Sequence, residues 1–286
     1  MVECHFAFAS ALGHDVSMTS AVPPATLVRR TLTEGVATLT LQSVANRNAL
    51  SLAMIETLQG EIDRLRTDRD ARVVVLAADG PAFSAGHDLK ELLAHQNDAD
   101  KGEAFYSEEM TRCSTLMEAI IALRKPVIAA VEGVATAAGC QLVATCDLAI
   151  AGDKARFALP GVATGLFCST PLVAVARAIP RKRAMEMALT GDLYSAADAE
   201  RFGLVNRVVP AGQAVAEAQK LAAAISRRSM ATLALGKRTF YQQIEKPLAT
   251  AYALAGQAMV DNLAFPDAAE GIAAFVEKRA PKWEDK

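Results

Sequence analysis

The chain has 286 residues, 30 Lys+Arg against 32 Asp+Glu, a formal net charge of −2, and 52% apolar against 22% charged residues. That balance excludes a disordered chain, a basic stripe for nucleic acid and a polybasic membrane patch. An aromatic content of 5% leaves little for base-stacking platforms, and the length suits one large α/β unit with an appendage.

Five cysteines (Cys4, Cys113, Cys140, Cys146, Cys168) are scattered without a C-x-x-C pair. This reads as reduced thiols in an intracellular protein, with no ligand pattern for a metal. No apolar run approaches the roughly 18–20 residues of a membrane span. Residues 1–25 hold Glu3 and Asp15 but no Lys or Arg. They read as a disordered tail rather than a secretory or mitochondrial leader, so a cytoplasmic, bacterial-type protein is expected.

In chain order, Gly35 to Leu41 alternates as a strand, and Ser51 caps a helix striped by Leu52, Ile55, Leu58, Ile62 and Leu65. Val73–Leu76 is a β-branched run of the kind buried on both sheet faces. The loop Asp79–Asp88, a helix over Glu103–Leu123, a strand over Val127–Val131, a small-residue turn over Gly133–Gly139 and a strand over Leu148–Ile150 follow. Alternating strands and helices imply parallel pairing with right-handed crossovers. Beyond Thr190 the spacing predicts a helix over Leu193–Phe202 and a strand over Leu204–Val209. Helices are then predicted over Gln213–Arg227, Met230–Gln243, Pro247–Asn262 and Pro266–Arg279.

No G-x-G-x-x-G after a strand, no P-loop and no G-x-S-x-G elbow occurs. Two small-residue turns remain, each directly after a buried strand: Phe83-Ser84-Ala85-Gly86-His87-Asp88-Leu89-Lys90, and Val134-Ala135-Thr136-Ala137-Ala138-Gly139-Cys140-Gln141. Small residues let backbone approach a ligand, and both turns lead into helices whose first N–H groups lack intrahelical partners. Two such N–H groups converging on one point form an oxyanion hole; tight strand–helix packing would produce the same composition.

Those turns resemble the crotonase (enoyl-CoA hydratase/isomerase) superfamily. So do Pro126–Gly139, Cys146-Asp147-Leu148-Ala149, Thr190-Gly191 and the stretch from Glu270-Gly271-Ile272 to Phe275-Val276-Glu277-Lys278-Arg279, in the family's order from about Leu27 to Trp283. The resemblance implies an α/β fold, a ClpP-like spiral of β-β-α turns with a C-terminal helical trimerisation region. It divides the chain into a tail at 1–25, an acyl-CoA-binding core at 26–210 and a helical oligomerisation region at 211–286, assembled as a homotrimer or a dimer of trimers. It further implies a fatty acyl-CoA thioester as substrate, coenzyme A entering as part of that substrate and no separate cofactor. The thioester oxygen would be held by the His87 and Ala138 backbone N–H groups. Ala85, His87, Asp88, Leu89 and Lys90 would border the CoA, with Arg47 beside the pantetheine. Phe275 and Lys278 would reach a neighbouring subunit's adenine end.

At the two slots where family hydratases carry glutamates, this sequence has Gln141 and Gly161. An amide can orient water but cannot trade protons at neutral pH, and losing one acid/base group costs about 10²–10⁴-fold. Gln141 is therefore a candidate to position water only. The imidazole of His87 has a pKa range suited to acid/base work, although the resemblance gives that slot a backbone role. Asp88 reads as a helix cap, Cys140 and Cys168 as packing thiols, and Ser169 and Thr170 as caps before Pro171. A lyase or isomerase, a silent acyl-CoA-binding protein, and a thioester hydrolase with water set by Gln141 all remain open.

Overall fold

The computed structural model describes residues 26–285, so the expected tail at 1–25 lies outside the described residues. A hairpin of β1 (Val28–Thr33) and β2 (Val36–Leu41) precedes α1 (Leu52–Thr67), β3 (Val73–Ala78), β4 (Ala82–Ser84), α2 (Leu89–Ala94) and α3 (Glu103–Ala122). Two further turns of the chain follow: β5 (Val127–Val131), β6 (Val134–Thr136) and α4 (Ala138–Thr145), then β7 (Leu148–Gly152), β8 (Arg156–Ala158) and α5 (Ser169–Ala178). The chain continues through α6 (Arg181–Thr190), β9 (Tyr194–Ser195), α7 (Ala196–Phe202) and β10 (Arg207–Val209). It closes with α8 (Ala214–Ser226), α9 (Met230–Gln243), α10 (Leu248–Leu263) and α11 (Pro266–Val276). No helix among the described residues is long and apolar enough to cross a membrane.

The strands form a six-stranded sheet, β1-β2-β3-β5-β7-β10, and a four-stranded sheet, β4-β6-β8-β9. Each β-β-α turn gives its first strand to the large sheet and its second to the small one. From β2 onward the large sheet is parallel, as is β4-β6-β8. This is the spiral that the resemblance implies.

Period-two alternation explains why the β3 run is continuously apolar. Val74 and Leu76 join the core that contains α1, while Val73, Val75 and Ala77 join a second core on the opposite face. That second face is covered by α8 through Ala214, Ala218 and Ala222, an alanine stripe at four-residue spacing. The oligomerisation region expected from residue 211 therefore begins with a helix that belongs to the core. An alanine stripe suits close packing on a sheet as well as on another subunit, and only the fold separates the two.

Short elements depart from expectation. The loop over Asp79–Asp88 contains β4, and the turn over Gly133–Gly139 contains β6. The helix expected from Leu193 starts at Ala196, after β9, with Ser195 closing a capping box with Asp198. Ser169 opens α5 rather than capping it; the cap position is Cys168, which makes no side-chain cap bond. Ser51 caps α1 as expected, accepting from Met54 N–H at 3.2 Å.

The late helices are tied to the sheet by a partly buried ion pair. Lys237 Nζ on α9 meets Asp147 Oδ2 at 2.7 Å and donates to the Ile120 and Lys125 carbonyls at 3.0 Å. Asp147 also accepts from Tyr241 OH at 2.9 Å and from Val127 N–H at 2.7 Å. Lys237→Met leaves the partly buried Asp147 with only the Tyr241 and Val127 donors, so it should cost about 1–3 kcal/mol. Urea unfolding checks this, and a midpoint equal to wild type would contradict it. At the junction of the sheets, a Cβ on Gly139 would lie 2.2 Å from the Ser84 carbonyl oxygen. Gly139→Ala should cost about 1–3 kcal/mol by overpacking, read as a lower urea midpoint at unchanged slope.

Candidate functional site

The first turn leaves β4 through Ser84 and Ala85 and reverses at Gly86, whose φ of +90° favours glycine. A Cβ on Gly86 would fall 2.8 Å from Ala137 Cβ and 3.2 Å from Ala138 N, so the two turns touch through backbone. Thr136 Oγ1 donates to Ala85 O at 3.1 Å across the same seam. In the second turn Ala137 takes φ 49° and ψ −121°, a conformation costing a non-glycine residue about 1–3 kcal/mol. It is held by Ala137 N–H donating to Ala158 O and by Gln141 N–H donating to Ala137 O, both at 3.0 Å.

Neighbouring amides are occupied. Ala85 N–H donates to Arg47 O at 3.1 Å, Gly86 N–H to Ser84 Oγ at 3.3 Å, and Leu50 N–H to Gly86 O at 2.7 Å. His87 N–H and Ala138 N–H donate to nothing among the described residues. Ala138 is the first residue of α4, where an N–H has no intrahelical acceptor. These two N–H groups flank the contact between Gly86 and Ala137.

The His87 ring turns toward α3. Its Nδ1 lies 3.1 Å from Glu109 Oε1, with the histidine side chain 11% exposed and the glutamate 0%. Burial pulls the imidazole pKa down, but the polar contacts and charge of Cys113 and Glu109 outweigh it and hold the group up at about 10. His87 Nε2, Glu109 Oε2 and Gln141 Oε1 are buried without hydrogen-bond partners among the described residues. Sequence reasoning missed Glu109, although a signal existed. It falls in register with Cys113, Leu116 and Ile120, all buried, whereas Glu108 beside it is exposed.

The structure brings Ala85, His87, Asp88, Ala138 and Gln141 to the seam, with Arg47 touching it through its carbonyl. Asp88 is the cap of α2, accepting from Lys90 N–H at 3.0 Å. Leu89 and Lys90 are exposed at the start of that helix. Gly161 sits on the short helical turn Pro160–Thr164, its N–H donating to Cys168 Sγ at 3.3 Å. Burial and the neighbouring Cys168 push the Cys140 thiol up to about 12, which suits a packing residue rather than a nucleophile. Phe275 and Lys278 stand apart from the seam, exposed at and just beyond the end of α11.

The described family of enoyl-CoA hydratases/isomerases matches residues 31–286. The mouse protein named enoyl-CoA hydratase domain-containing protein 3, mitochondrial, is 50% identical over 250 residues, 87% of this chain and 82% of its own length. The crystal structure of the human enoyl-CoA hydratase domain-containing protein 3 superposes with a TM-score of 0.85 at 47% identity, covering 90% of this chain and 100% of that one. A Mycobacterium smegmatis enoyl-CoA hydratase structure gives 0.85 at 48%, covering 90% and 98%. The expectation of a cytoplasmic, bacterial-type protein is overturned by these comparisons. The mouse relative and its rat and human counterparts are named mitochondrial. A spiral of β-β-α turns, two touching small-residue turns and a family match over nearly the whole described chain lead to one conclusion: the chain belongs to the enoyl-CoA hydratase/isomerase family.

Proposed function

We propose that the chain binds a fatty acyl-CoA thioester and stabilises its enolate between the His87 and Ala138 N–H groups. What carries the reading is the contact of Gly86 with Ala137 and Ala138, which sets two undonated N–H groups on either side of one seam. Donors fixed by backbone need no reorganisation as negative charge develops on the thioester oxygen, and this is where such sites gain most of their effect.

Gln141 lies one helical turn inside α4 from Ala138, 4% exposed, with Oε1 unpartnered. In this reading it orients water or the acyl group without exchanging protons. Gly161 contributes no side chain, and a Cβ there would stand 3.0 Å from both Cys168 Sγ and Leu166 O. Ala85, Asp88, Leu89, Lys90 and Arg47 would border the CoA. The exposed apolar residues of the late helices, among them Leu248, Tyr252, Phe275 and Val276, would be covered by further copies of the chain, as a homotrimer or a dimer of trimers. Phe275 and Lys278 would then serve a neighbour's adenine end.

Calorimetry with butyryl-CoA tests the binding reading. Micromolar affinity is expected for wild type, and Gly86→Val, which drives a side chain into Ala137 and Ala138, should lose at least tenfold. Equal affinity would contradict it. Loss of the conjugated-thioester absorbance of crotonyl-CoA tests turnover. Restoring one carboxylate with Gln141→Glu should raise hydration by about 10²-fold or more. Gly161→Glu asks for room beside Cys168, so the Gln141 variant comes first. Firm binding with no turnover in wild type or Gln141→Glu would favour a silent acyl-CoA-binding protein, whose specific support is the two missing glutamates.

A further inference from the structure

We infer that the His87 imidazole is the proton carrier of this pocket: its Nε2 exchanges a proton with Cα of the bound thioester, while Glu109 orients the ring through Nδ1. The inference rests on the acyl-CoA reading above. His87 is the catalytic residue in this assignment, and Glu109 is a positioning residue.

Geometry carries it first. A carboxylate with no exposed surface is costly unless paired, and the partner of Glu109 is the His87 ring at 3.1 Å. That pairing uses one nitrogen and one oxygen. The other nitrogen, Nε2, is buried without a partner, as are Glu109 Oε2 and Gln141 Oε1. These are three of the five such side-chain atoms among the described residues, and all three belong to the segments meeting at the seam. An unsatisfied buried polar atom costs about 1–3 kcal/mol and calls for a use.

Connectivity bounds the distance to be spanned. The ring belongs to the same residue as one of the proposed oxyanion donors, so a thioester oxygen accepting from His87 N–H lies within one side chain of Nε2. The Cα of that thioester is two bonds from the oxygen. Chemistry narrows the choice further: Gln141 cannot trade protons, Gly161 has nothing to trade, and a thiol pushed up to about 12, as at Cys140, stays protonated.

The step balances without a co-reactant. In the neutral ring Nδ1–H donates to Glu109 Oε1 and Nε2 is the acceptor. Nε2 takes the Cα proton as the C–H pair becomes the bond between Cα and the thioester carbon and the carbonyl π pair moves onto oxygen, giving an enolate and an imidazolium. The imidazolium returns a proton to Cα. In D2O the Nε2 proton exchanges with solvent first, so deuterium enters Cα.

The charges facing the ring are few. From α3 come Glu109 and Cys113. The segment 47–50 pairs with His87 through the Leu50 backbone, and the Arg47 side chain is exposed. Asp88, the next residue, is engaged with Lys90 N–H and lies 3.4 Å from Asn46 Nδ2. The resting ring, held up at about 10, is therefore an imidazolium at neutral pH, and its base form grows as pH rises.

The test is deuterium uptake at Cα of butyryl-CoA in D2O, read by mass spectrometry after subtracting exchange without protein, with calorimetric binding in parallel. Wild type should exchange, and the rate should rise roughly tenfold per pH unit from 7 to 9, as the neutral fraction of a base titrating above that range must. His87→Ala should lose about 10²–10⁴-fold of the exchange. Glu109→Gln removes one of the two partners, with Cys113, that hold the ring protonated, so its profile should shift to lower pH and level off earlier than that of wild type. A merely structural glutamate would lower the rate without moving the profile. Should Glu109→Gln fail to fold, the wild-type profile and His87→Ala decide. Failure of butyryl-CoA to bind wild type overturns the acyl-CoA reading and this inference with it. Firm binding with exchange equal in wild type and His87→Ala, or unchanged between pH 7 and 9, overturns the carrier assignment alone.

Discussion

Everything at the pocket depends on two turns coming so close that each excludes a Cβ at its glycine. Gly86 lies against Ala137 and Ala138, and Gly139 lies under the Ser84 carbonyl. The contact is made of backbone, so it fixes the two N–H groups independently of nearby side chains. It also explains the small sheet. Strands of three residues such as β4, β6 and β8 are too short to pair alone, and they hold because the large sheet and the turns set their spacing. The strained Ala137 persists because neighbouring hydrogen bonds determine its position from both sides.

A second constraint is electrical. Glu109 has no exposed surface and sits on the apolar stripe of α3, a position that charge tolerates only with a partner in place. Its partner is on the first turn, so the ion pair couples α3 to the seam. The Lys237–Asp147 pair does the same for α9 and the sheet, through Asp147's acceptance from Val127 N–H at the start of β5. In each case a buried or partly buried charge specifies which helix lies where, while the apolar contacts supply most of the stability.

Much of this was legible in the sequence, for identifiable reasons. Val73–Leu76 and Val127–Val131 announce central strands because burial on both faces forces a continuous apolar run. The two turns announce themselves by small residues after such runs. The strands β4, β6 and β8 do not, since three residues cannot display a period and Arg156 breaks the apolar texture. The pairing of His87 with Glu109 was out of reach because it spans 22 positions and two elements. Its one local trace, an acidic residue in register with buried Cys113 and Ile120, shows only when α3 is read as a stripe. Localisation was misjudged from the basic-residue content of a short segment, evidence too thin to outweigh relatives about half identical over most of the chain.

In the proposed reading, Gln141 and Gly161 put no carboxylate beside the thioester. Two carboxylates near a developing enolate oppose its charge, and the backbone donors must overcome that opposition. Here the ionisable groups beside the first turn form a neutral pair, with the cation on the residue that also offers the N–H. In the proposed reading the proton taken from Cα stays on the residue whose N–H holds the oxygen, so the charges separated in that step remain close together. Chemistry at Cα is in that reading favoured over addition at Cβ, which needs a further group to activate water.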